Sequence, residues 1–180
     1  MEFYESTISS RVIYSGKILN LRLDEVKLPN GKTSTREIVD HPGAVAIVAL
    51  NEKNEVLMVR QYRKPVEEAL LEIPAGKIEK EEQSDVCAQR ELMEETGFFA
   101  RNLRHITDFY TSPGFSSERM HLYLARDLEK KARQADDDEY IQLEAVPLEE
   151  AIRKIYDGEI KDAKTISGLL LAYNILKGAV

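Results

Sequence analysis

The sequence predicts an α+β sandwich with a mixed β-sheet, because short strand-like runs and a few helical patterns follow one another without regular β-α-β alternation. Two apolar runs of β-type residues, Ala44–Leu50 and Val56–Gln61, are typical of buried strands. Two helical patterns, Leu148–Tyr156 and Thr165–Leu176, close the chain. With 180 residues, 43% of them hydrophobic, the chain is long enough to enclose a hydrophobic core.

The N-terminal part predicts a small β subdomain over residues 1–42, ahead of a larger domain over residues 43–180. Pro29–Gly31 has the composition of a tight turn, and His41–Gly43 interrupts the strand pattern at the boundary. Three strands are expected in the subdomain: Arg11–Ile18, Leu21–Leu28 and Ser34–Asp40.

The larger domain is expected to contain a helix over Asp85–Thr96, because Ser84 is a favourable N-cap and Gly97 is a favourable terminator. Further strands are expected at Arg104–Tyr110, His121–Ala125 and Ile141–Val146. The acidic run before the last of these strands predicts a loop.

The charge and cysteine content argue against several classes of function. A formal net charge of −7 disfavours a nucleic-acid-binding surface, which needs a basic patch, and suits a protein that binds hard divalent cations. Cys87 is the only cysteine, so an intrachain disulfide and a cysteine-based zinc site are excluded. No apolar stretch approaches the ~20 residues of a membrane helix, and the first residues have no basic leader. We therefore predict a cytoplasmic protein with no membrane partner and no nucleic-acid partner.

Three glutamates on the expected helix form an acidic cluster. Glu91, Glu94 and Glu95 are three or four residues apart, so they project from one side of the helix. Like charges at this spacing destabilise a helix by a few tenths of a kcal/mol per pair, roughly, and a bound cation offsets the repulsion. Carboxylates also match the preference of Mg²⁺ for oxygen ligands. Taken alone, such a cluster is more typical of a solvated helix surface than of a metal site.

The wider segment Gly76–Phe98 resembles the Nudix box of the Nudix hydrolases. The box constrains the residue type at nine positions across twenty-three residues, and this chain satisfies every one. The matching residues are Gly76, Glu82, Arg90, Glu91, Leu92, Glu94, Glu95, Gly97 and Phe98. The resemblance implies a Nudix α/β/α sandwich and a hydrolase that uses Mg²⁺, or Mn²⁺, against the diphosphate of a small nucleoside diphosphate substrate.

The resemblance also implies roles for individual residues. The implied metal ligands are Glu91, Glu95, the backbone carbonyl of Ala75 and, through a water molecule, Glu82. Glu94 is expected to assist a second metal ion or the attacking water. Arg90 is expected to organise the acidic side chains, because the i,i+4 spacing allows it to pair with Glu94.

Segments outside the box resemble the ADP-ribose pyrophosphatase branch of the family. Arg60–Arg63, a basic strand end, and Glu68–Gly76, which contains Glu-Ile-Pro-Ala-Gly, are typical of this branch. By this match Arg63 is the candidate clamp for the diphosphate, since a guanidinium binds two phosphate oxygens at once. Glu72 is the candidate contact for the nucleotide or for a dimer partner. The implied reaction converts ADP-ribose to AMP and ribose 5-phosphate.

Loops and N-terminal strands extend the resemblance to this branch. Pro113, sixteen residues after Gly97, is a mark of ADP-ribose-cleaving members, and Glu118 is a further candidate for contacting substrate or metal. The run Gly158–Ile166 resembles the C-terminal segment of the branch and also has a structural explanation. The N-terminal strands of the branch commonly cross onto a second subunit. We therefore predict a homodimer in which Arg36 reaches the neighbouring active site.

The general base that activates the water is left open between a loop and the helix. The family often supplies this base from an acidic loop after the box, and Gln134–Tyr140 is the matching segment. Glu139 matches the catalytic glutamate of related enzymes best, and Asp137 is second. Glu94 is the competing base within the helix.

Other functions are less well supported by the sequence. Three histidines, His41, His105 and His121, are expected to be structural and not to form a metal-ligand set. A Ser-His-Asp hydrolase is not supported, because the Gly-x-Ser-x-Gly motif is missing. The alternatives that remain are a Nudix hydrolase of another nucleoside diphosphate sugar, such as a GDP-sugar, and a non-catalytic ADP-ribose sensor. The complete box disfavours the sensor.

Overall fold

The computed structural model describes residues 3–131 and 140–178. The strands are β1 (Ser6–Ser15), β2 (Asn20–Lys27), β3 (Thr33–Asp40), β4 (Ala44–Leu50), β5 (Glu55–Arg63), β6 (Glu68–Glu72), β7 (Ala75–Lys77), β8 (Phe98–Tyr110), β9 (Arg119–Lys130) and β10 (Ile141–Pro147). The helices are α1 (Ser84–Thr96), α2 (Leu148–Tyr156) and α3 (Ala163–Leu176). Within these described residues, no helix has both the length and the apolar character needed to cross a membrane.

The chain divides into two compact units. The first comprises Met1–Gly43 and Tyr110–Arg119, and the second comprises Ala44–Phe109 and Met120–Val180. The division after Gly43 lies one residue from the boundary expected after residue 42. Tyr110–Arg119 is tied to the first unit by a hydrogen bond from the Val39 N–H to the Phe115 carbonyl, at 2.7 Å. A separate N-terminal domain over residues 1–42 stays a prediction.

The first unit contains a three-stranded antiparallel sheet in the order β1-β2-β3. The turn between β2 and β3 is closed by a hydrogen bond from the Gly31 N–H to the Leu28 carbonyl, at 2.9 Å. Gly31 has a φ of 83°, a left-handed conformation that glycine adopts without strain. Strand β1 begins at Ser6, earlier than the predicted start at Arg11, because the polar segment Ser6–Ser10 pairs along β2.

The second unit is built on a seven-stranded mixed sheet. The main path runs β10-β5-β4-β9-β8, with β6 beside β5 and β7 beside β4. Strands β4 and β9 are parallel, whereas β5 is antiparallel to β4, β6 and β10. This arrangement confirms the mixed sheet predicted from the absence of regular β-α-β alternation.

Side chains alternate along the central strand β4 and form one hydrophobic cluster on each face of the sheet. Val48 belongs to the cluster that includes Leu169 of α3 and residues of α2. Ile47 belongs to the cluster that includes Leu92 of α1. Helices therefore cover both faces of the sheet, and the predicted α/β/α sandwich is confirmed.

Four strand segments are not predicted by the sequence pattern. Strands β6 and β7 lack an apolar run, and each is defined by its pairing with a buried neighbour, β5 or β4. Strand β8 begins at Phe98, directly after the helix terminator, and β9 continues to Lys130. Neither added segment, residues 98–103 of β8 or residues 126–130 of β9, alternates regularly between apolar and polar residues, so pairing with neighbouring strands determines them more than a hydrophobic pattern does.

Candidate active site

Helix α1 lies against the sheet through one apolar side. Cys87, Ala88 and Leu92 are fully buried in the cluster that contains the odd-numbered residues of β4. The helix ends at Gly97, which has a φ of 76° and donates its N–H to the Met93 carbonyl at 2.9 Å. This geometry confirms the predicted terminator.

The predicted N-cap is wrong by one residue. Ser84 is the first residue of α1, and Gln83 occupies the N-cap position without a side-chain cap hydrogen bond. The Ser84 hydroxyl instead lies 2.8 Å from the hydroxyl of Tyr123 on β9. Because a buried tyrosine hydroxyl needs a partner, Ser84 joins the start of the helix to the sheet.

Arg90 lies at the centre of the acidic side of α1. Its Nε and Nη2 donate to the two carboxylate oxygens of Glu82, at 2.9 and 3.0 Å. Its Nη1 donates to Glu91 at 2.7 Å and to Glu94 at 2.9 Å. Nη2 also contacts the backbone carbonyl of Lys77 at 3.3 Å. One guanidinium therefore joins three carboxylates to the loop that precedes the helix.

Charge pairing with Arg90 keeps the Glu82 carboxylate ionised. Hydrogen bonding to Arg90 lowers the pKa of Glu82 to about 2, although partial burial acts in the opposite direction. The same hydrogen bonds raise the pKa of Arg90 above its ordinary value. Burial, reinforced by the Glu82 charge, raises the pKa of the Cys87 thiol to about 12. Cys87 is therefore a neutral packing residue at pH 7 and not a nucleophile.

The backbone of β7 approaches two of the glutamates. A Cβ atom at Gly76 would lie 1.9 Å from the carboxyl carbon of Glu91, so a larger residue here would displace this carboxylate from its present position. Glu95 is 4% exposed and accepts a hydrogen bond from the Ala75 N–H at 3.1 Å. Gly76 therefore allows the Glu91 carboxylate to lie directly against the backbone of β7.

Arg90, rather than a preformed cation cage, occupies the acidic cluster. Glu82, Glu91 and Glu94 all direct carboxylate oxygens at its guanidinium.

Among residues 3–131 and 140–178, a single trio of His, Cys, Asp or Glu side chains has all its ligand atoms within 4.8 Å of one another. The trio comprises His105, Asp108 and His121. The pairing of β8 with β9 therefore brings two of the three histidines together beside one carboxylate, an arrangement that the sequence did not predict.

Arg63 and Glu72 form a second ionic group in the same unit. Nε and Nη2 of Arg63 each donate to one Glu72 oxygen, at 2.8 Å. Glu72 is 1% exposed and also pairs with Lys164. Burial alone would raise the pKa of Glu72, but the Arg63 hydrogen bonds and the Lys164 charge lower it below the ordinary value. The pKa of Arg63 is raised, chiefly by Glu72 and further by the Glu95 charge, so this group is an electrostatic neighbour of α1.

The sequence did not single out Lys164 and Asp162, although both lie in the run Gly158–Ile166. Asp162 caps α3 by accepting from the Thr165 N–H at 2.9 Å, and it contacts Lys164 at 2.8 Å. The buried Thr165 hydroxyl accepts from the Ile73 N–H at 3.0 Å. The run therefore anchors the start of α3 beside the strand that carries Glu72. An Asp-x-x-Thr cap is the local signal that indicates this structure.

Two further predicted site residues lie in the first unit. Arg36 donates two hydrogen bonds to Glu5, at 2.9 and 2.6 Å. Glu118 accepts from the Thr111 hydroxyl at 2.5 Å. Both side chains therefore have partners within their own unit, and their contacts with substrate, metal or a second subunit stay predictions.

The two loop residues predicted as candidate bases are Glu139 and Asp137. Both fall within residues 132–139, outside the part of the chain that the structure describes. Their roles stay predictions.

Family models match nearly the whole chain. Residues 40–169 match the NUDIX domain, and residues 5–39 match the Nucleoside diphosphate sugar hydrolase N-terminal domain. The first match contains the Arg90-centred cluster and the Arg63–Glu72 pair. The second covers the three-stranded sheet.

Several known proteins are similar to this chain over most of their length. The ADP-ribose pyrophosphatase of Bacillus subtilis (strain 168) is 48% identical over 163 residues, covering 89% of this chain and 88% of that protein. The Methanol dehydrogenase activator of Bacillus methanolicus is 49% identical over 166 residues, covering 91% and 90%. A solved structure described as an ADP compounds hydrolase has a TM-score of 0.86 at 23% identity, covering 97% of this chain and 95% of that chain. This last likeness shows that the two chains share a fold.

Proposed function

Because the chain belongs to the Nudix family, we propose that it hydrolyses the pyrophosphate bond of ADP-ribose and releases AMP and ribose 5-phosphate. The observation that carries the proposal is the Arg90-centred carboxylate cluster on α1, in a chain 48% identical to an ADP-ribose pyrophosphatase. The complete box argues against a non-catalytic sensor.

The donor set around α1 fits Mg²⁺ or Mn²⁺. Nudix hydrolases generally use divalent metals, and both ions prefer carboxylate and carbonyl oxygens. The proposed ligands are Glu91 and Glu95, the Ala75 carbonyl and, through water, Glu82. Gly76 supports this assignment, since the lack of a side chain lets the Glu91 carboxylate lie against the loop backbone. A bound ion neutralises phosphate oxygens and lowers the pKa of a coordinated water.

Arg90 is the proposed organiser of these ligands. Its guanidinium contacts Glu82, Glu91 and Glu94 together, which limits their rotamers and offsets their mutual repulsion. The low pKa of Glu82 keeps that carboxylate charged across the physiological range. A cation that approaches the cluster therefore meets carboxylates that Arg90 has already aligned.

Arg63 is the proposed contact for the substrate diphosphate. Glu72 holds Nε and Nη2 of Arg63 and so fixes the plane of the guanidinium. Nη1 is not among the nitrogens that contact Glu72, and the side chain is 38% exposed. The Nη1 side of the Arg63 guanidinium is therefore proposed to donate hydrogen bonds to the phosphate oxygens of the substrate. Glu72 accordingly acts as a positioning residue for Arg63, in addition to its predicted contact with the nucleotide or a dimer partner.

Three carboxylates compete for the role of general base. Glu139 is proposed first and Asp137 second, from their match to the acidic loop of related enzymes. Glu94 already accepts a hydrogen bond from Arg90 at 2.9 Å, which occupies one of its oxygens and favours the loop residues.

A homodimer through the N-terminal strands is part of the proposal. Strand β1 lies at the edge of its sheet and carries large apolar side chains in contact with solvent. The exposed large apolar residues of β1 are Ile8, Val12, Ile13 and Tyr14, and Phe3, Tyr4 and Ile18 lie just outside the strand. Apolar patches of this kind mark interaction surfaces more often than free ones. In the proposed dimer, Arg36 would lie near the substrate bound to the partner subunit. The cytoplasmic location of the protein also stays a prediction.

A second candidate substrate is another nucleoside diphosphate sugar, such as a GDP-sugar. The match of residues 5–39 to the Nucleoside diphosphate sugar hydrolase N-terminal domain favours this broader class. The 49% identical activator protein bears a different name from the pyrophosphatase, so the names of relatives do not fix the substrate.

A substrate panel tests the proposed function. The purified protein is incubated with ADP-ribose, GDP-mannose or FAD in the presence of Mg²⁺ or Mn²⁺, and the products are separated by chromatography. We expect kcat/KM for ADP-ribose to exceed that for GDP-mannose by at least ~10-fold, with equimolar AMP and ribose 5-phosphate. A preference for GDP-mannose would establish the alternative, and failure to cleave any of the three would contradict both.

A further inference from the structure

We propose that His105, Asp108 and His121 form a binding site for a divalent transition-metal ion such as Zn²⁺, separate from the carboxylates of α1. Nε2 of His105 and Nδ1 of His121 lie 2.6 and 2.8 Å from the same atom, Oδ1 of Asp108. The ligand atoms of the three residues all lie within 4.8 Å of one another. Two imidazole nitrogens and one carboxylate oxygen therefore converge on one point.

The sheet holds these three side chains on regular strands. His105 and Asp108 belong to β8, and His121 belongs to the neighbouring strand β9. His121 stands opposite Val45 of the central strand β4, so it is fixed by a parallel ladder on the other side of β9. Sites built on strands keep their geometry better than sites built on loops.

The packing of the rings suits convergence on an ion. The ring centroids of His105 and His121 are 6.5 Å apart, and their planes are tilted by 50°, so the rings do not stack. Tyr123 contacts the His105 ring edge-on, with centroids 5.4 Å apart. Tyr123 is itself 4% exposed and bonded to Ser84, which gives His105 a fixed aromatic support.

Binding an ion requires only a small movement of the side chains. Zinc–nitrogen bonds of about 2.0–2.1 Å place neighbouring ligand atoms of a tetrahedral site about 3.3 Å apart. The present separations from Asp108 Oδ1 are shorter, as expected when a hydrogen atom joins the pairs. Metal binding exchanges each of these hydrogen bonds for a metal–ligand bond, and each imidazole hydrogen moves to the other ring nitrogen or to solvent.

The donor set discriminates between ions. Imidazole nitrogen is a preferred ligand of Zn²⁺, Cu²⁺ and Ni²⁺, whereas Mg²⁺ prefers oxygen. The side chains of His105, His121 and Asp108 are 46%, 20% and 21% exposed, which gives an ion access and leaves room for water ligands. This site and the carboxylates of α1 are therefore expected to load independently, with different ions.

Zinc binding in the presence of excess Mg²⁺ tests the site. Isothermal titration of the full chain should show one Zn²⁺ per chain, and the ion should raise the Tm because it joins β8 to β9. His105→Ala and His121→Ala should each weaken Zn²⁺ binding by at least ~10-fold. His41→Ala is the matched control, because its histidine lies outside the trio, and it should bind as the wild type does. Glu95→Gln should also retain Zn²⁺ binding, which separates this result from the proposed function.

A spectroscopic measurement complements the titration. Cu²⁺ in the wild type should give an electron paramagnetic resonance spectrum with coupling to two nitrogens, reduced in either histidine variant of the trio. His105 is exposed enough for its substitution to leave the fold intact, as circular dichroism would verify. The proposal is overturned if the folded wild type binds no Zn²⁺, if His105→Ala and His121→Ala bind it unchanged, or if Glu95→Gln abolishes binding.

Discussion

Arg90 donates hydrogen bonds to Glu82, which precedes α1, and to Glu91 and Glu94 of α1, so one positive charge offsets the mutual repulsion of three carboxylates. Glu72 is likewise enclosed by Arg63 and Lys164. In both groups the charges are paired within the protein before any ligand arrives. These internal partners hold the proposed metal ligands and the proposed diphosphate contact in place, which makes the partners part of the proposed site.

Replacement of Arg63 by alanine tests the diphosphate clamp. A charge-assisted hydrogen bond contributes about 1.5–3 kcal/mol, so KM for ADP-ribose should rise by at least ~10-fold with a smaller change in kcat. Steady-state kinetics measures both constants.

The control for this variant is Arg60→Ala on the same strand, because Arg60 pairs with Glu144 and not with Glu72. Arg63→Ala also leaves the buried Glu72 with fewer partners, so a lower Tm is expected alongside the change in KM. An unchanged KM in a folded Arg63→Ala protein would reject the clamp.

The pH dependence of the rate identifies the general base. Glu139→Gln should lose most of kcat and the acidic limb of the pH–rate profile. A general base accepts the proton of the water only in its deprotonated form, so the wild-type rate falls as the pH drops below the pKa of the base. Asp137→Asn is the matched comparison from the same loop. If both variants keep the limb and the rate, the base lies in α1, and Glu94→Gln should then show the loss.

For individual residues, the sequence predicts those contacts that follow a local spacing rule. The Arg90–Glu94 contact follows from i,i+4 geometry, and it is present. The pairing of Arg63 with Glu72 crosses a hairpin between β5 and β6, and no spacing rule connects the two residues. His105 and His121 meet only because β8 and β9 are neighbours. Contacts that depend on strand pairing therefore could not be predicted from the sequence.

Among the elements, α1 carries the proposed chemistry, and its C-terminal end has the tightest backbone requirement. Gly97 adopts a left-handed φ of 76°, and its carbonyl accepts from the Lys131 N–H at 2.7 Å. The last helical turn contains Glu94 and Glu95. The conformation of Gly97 therefore helps to fix the positions of the Glu94 and Glu95 carboxylates relative to the sheet.

Gly97→Ala tests this requirement. A left-handed alanine is disfavoured by roughly 1–2 kcal/mol, so the free energy of unfolding in urea should fall by about that amount. Activity should fall with it, because the last turn of α1 shifts. Gly97→Asn should be less destabilised, since asparagine tolerates this conformation better.

Gly114→Ala is the matched control for this variant. A Cβ atom there would meet no atom within 4 Å, so the free energy of unfolding should change little. Equal stability of Gly97→Ala and the wild type would contradict the proposed role of the terminator.

Element prediction from the sequence succeeds where hydrophobicity marks the element. Strand β4 is buried throughout, and its predicted and observed bounds are the same. Strands β6 and β7 were missed because they contain few buried apolar residues and are defined by pairing with β5 and β4. Because β7 was not predicted, its contact with the glutamates could not be predicted either.

For the whole molecule, the exposed apolar side chains of the N-terminal segment are the feature that a monomer does not explain. Val12 is 65% exposed and Ile8 is 53% exposed, and both lie on the edge strand β1. Edge strands with apolar side chains are prone to associate with another chain. A dimer that buries this surface gives the N-terminal sheet a function beyond packing.

Sedimentation velocity at micromolar concentration tests the dimer. The wild type should sediment at twice the chain mass of 20.5 kDa. Val12→Lys should shift the protein toward the monomer, because it places a charge in the proposed interface. Val66→Lys is the control, since Val66 is also exposed but lies in the second unit. A wild-type monomer would refute the dimer.

The central claim is that the carboxylates of α1 hold a divalent ion needed to split a pyrophosphate bond. The most direct measurement is the rate of AMP release from ADP-ribose by the wild type and by Glu95→Gln, each with Mg²⁺ and with EDTA. Glutamine can still accept the hydrogen bond from the Ala75 N–H but lacks the charge, so the fold should persist. Asp85→Asn, an exposed change on the same helix, is the control. We predict AMP release by the wild type and by Asp85→Asn only with Mg²⁺, and a kcat at least ~100-fold lower in Glu95→Gln. Release that persists in EDTA, or full activity of Glu95→Gln, would contradict the claim.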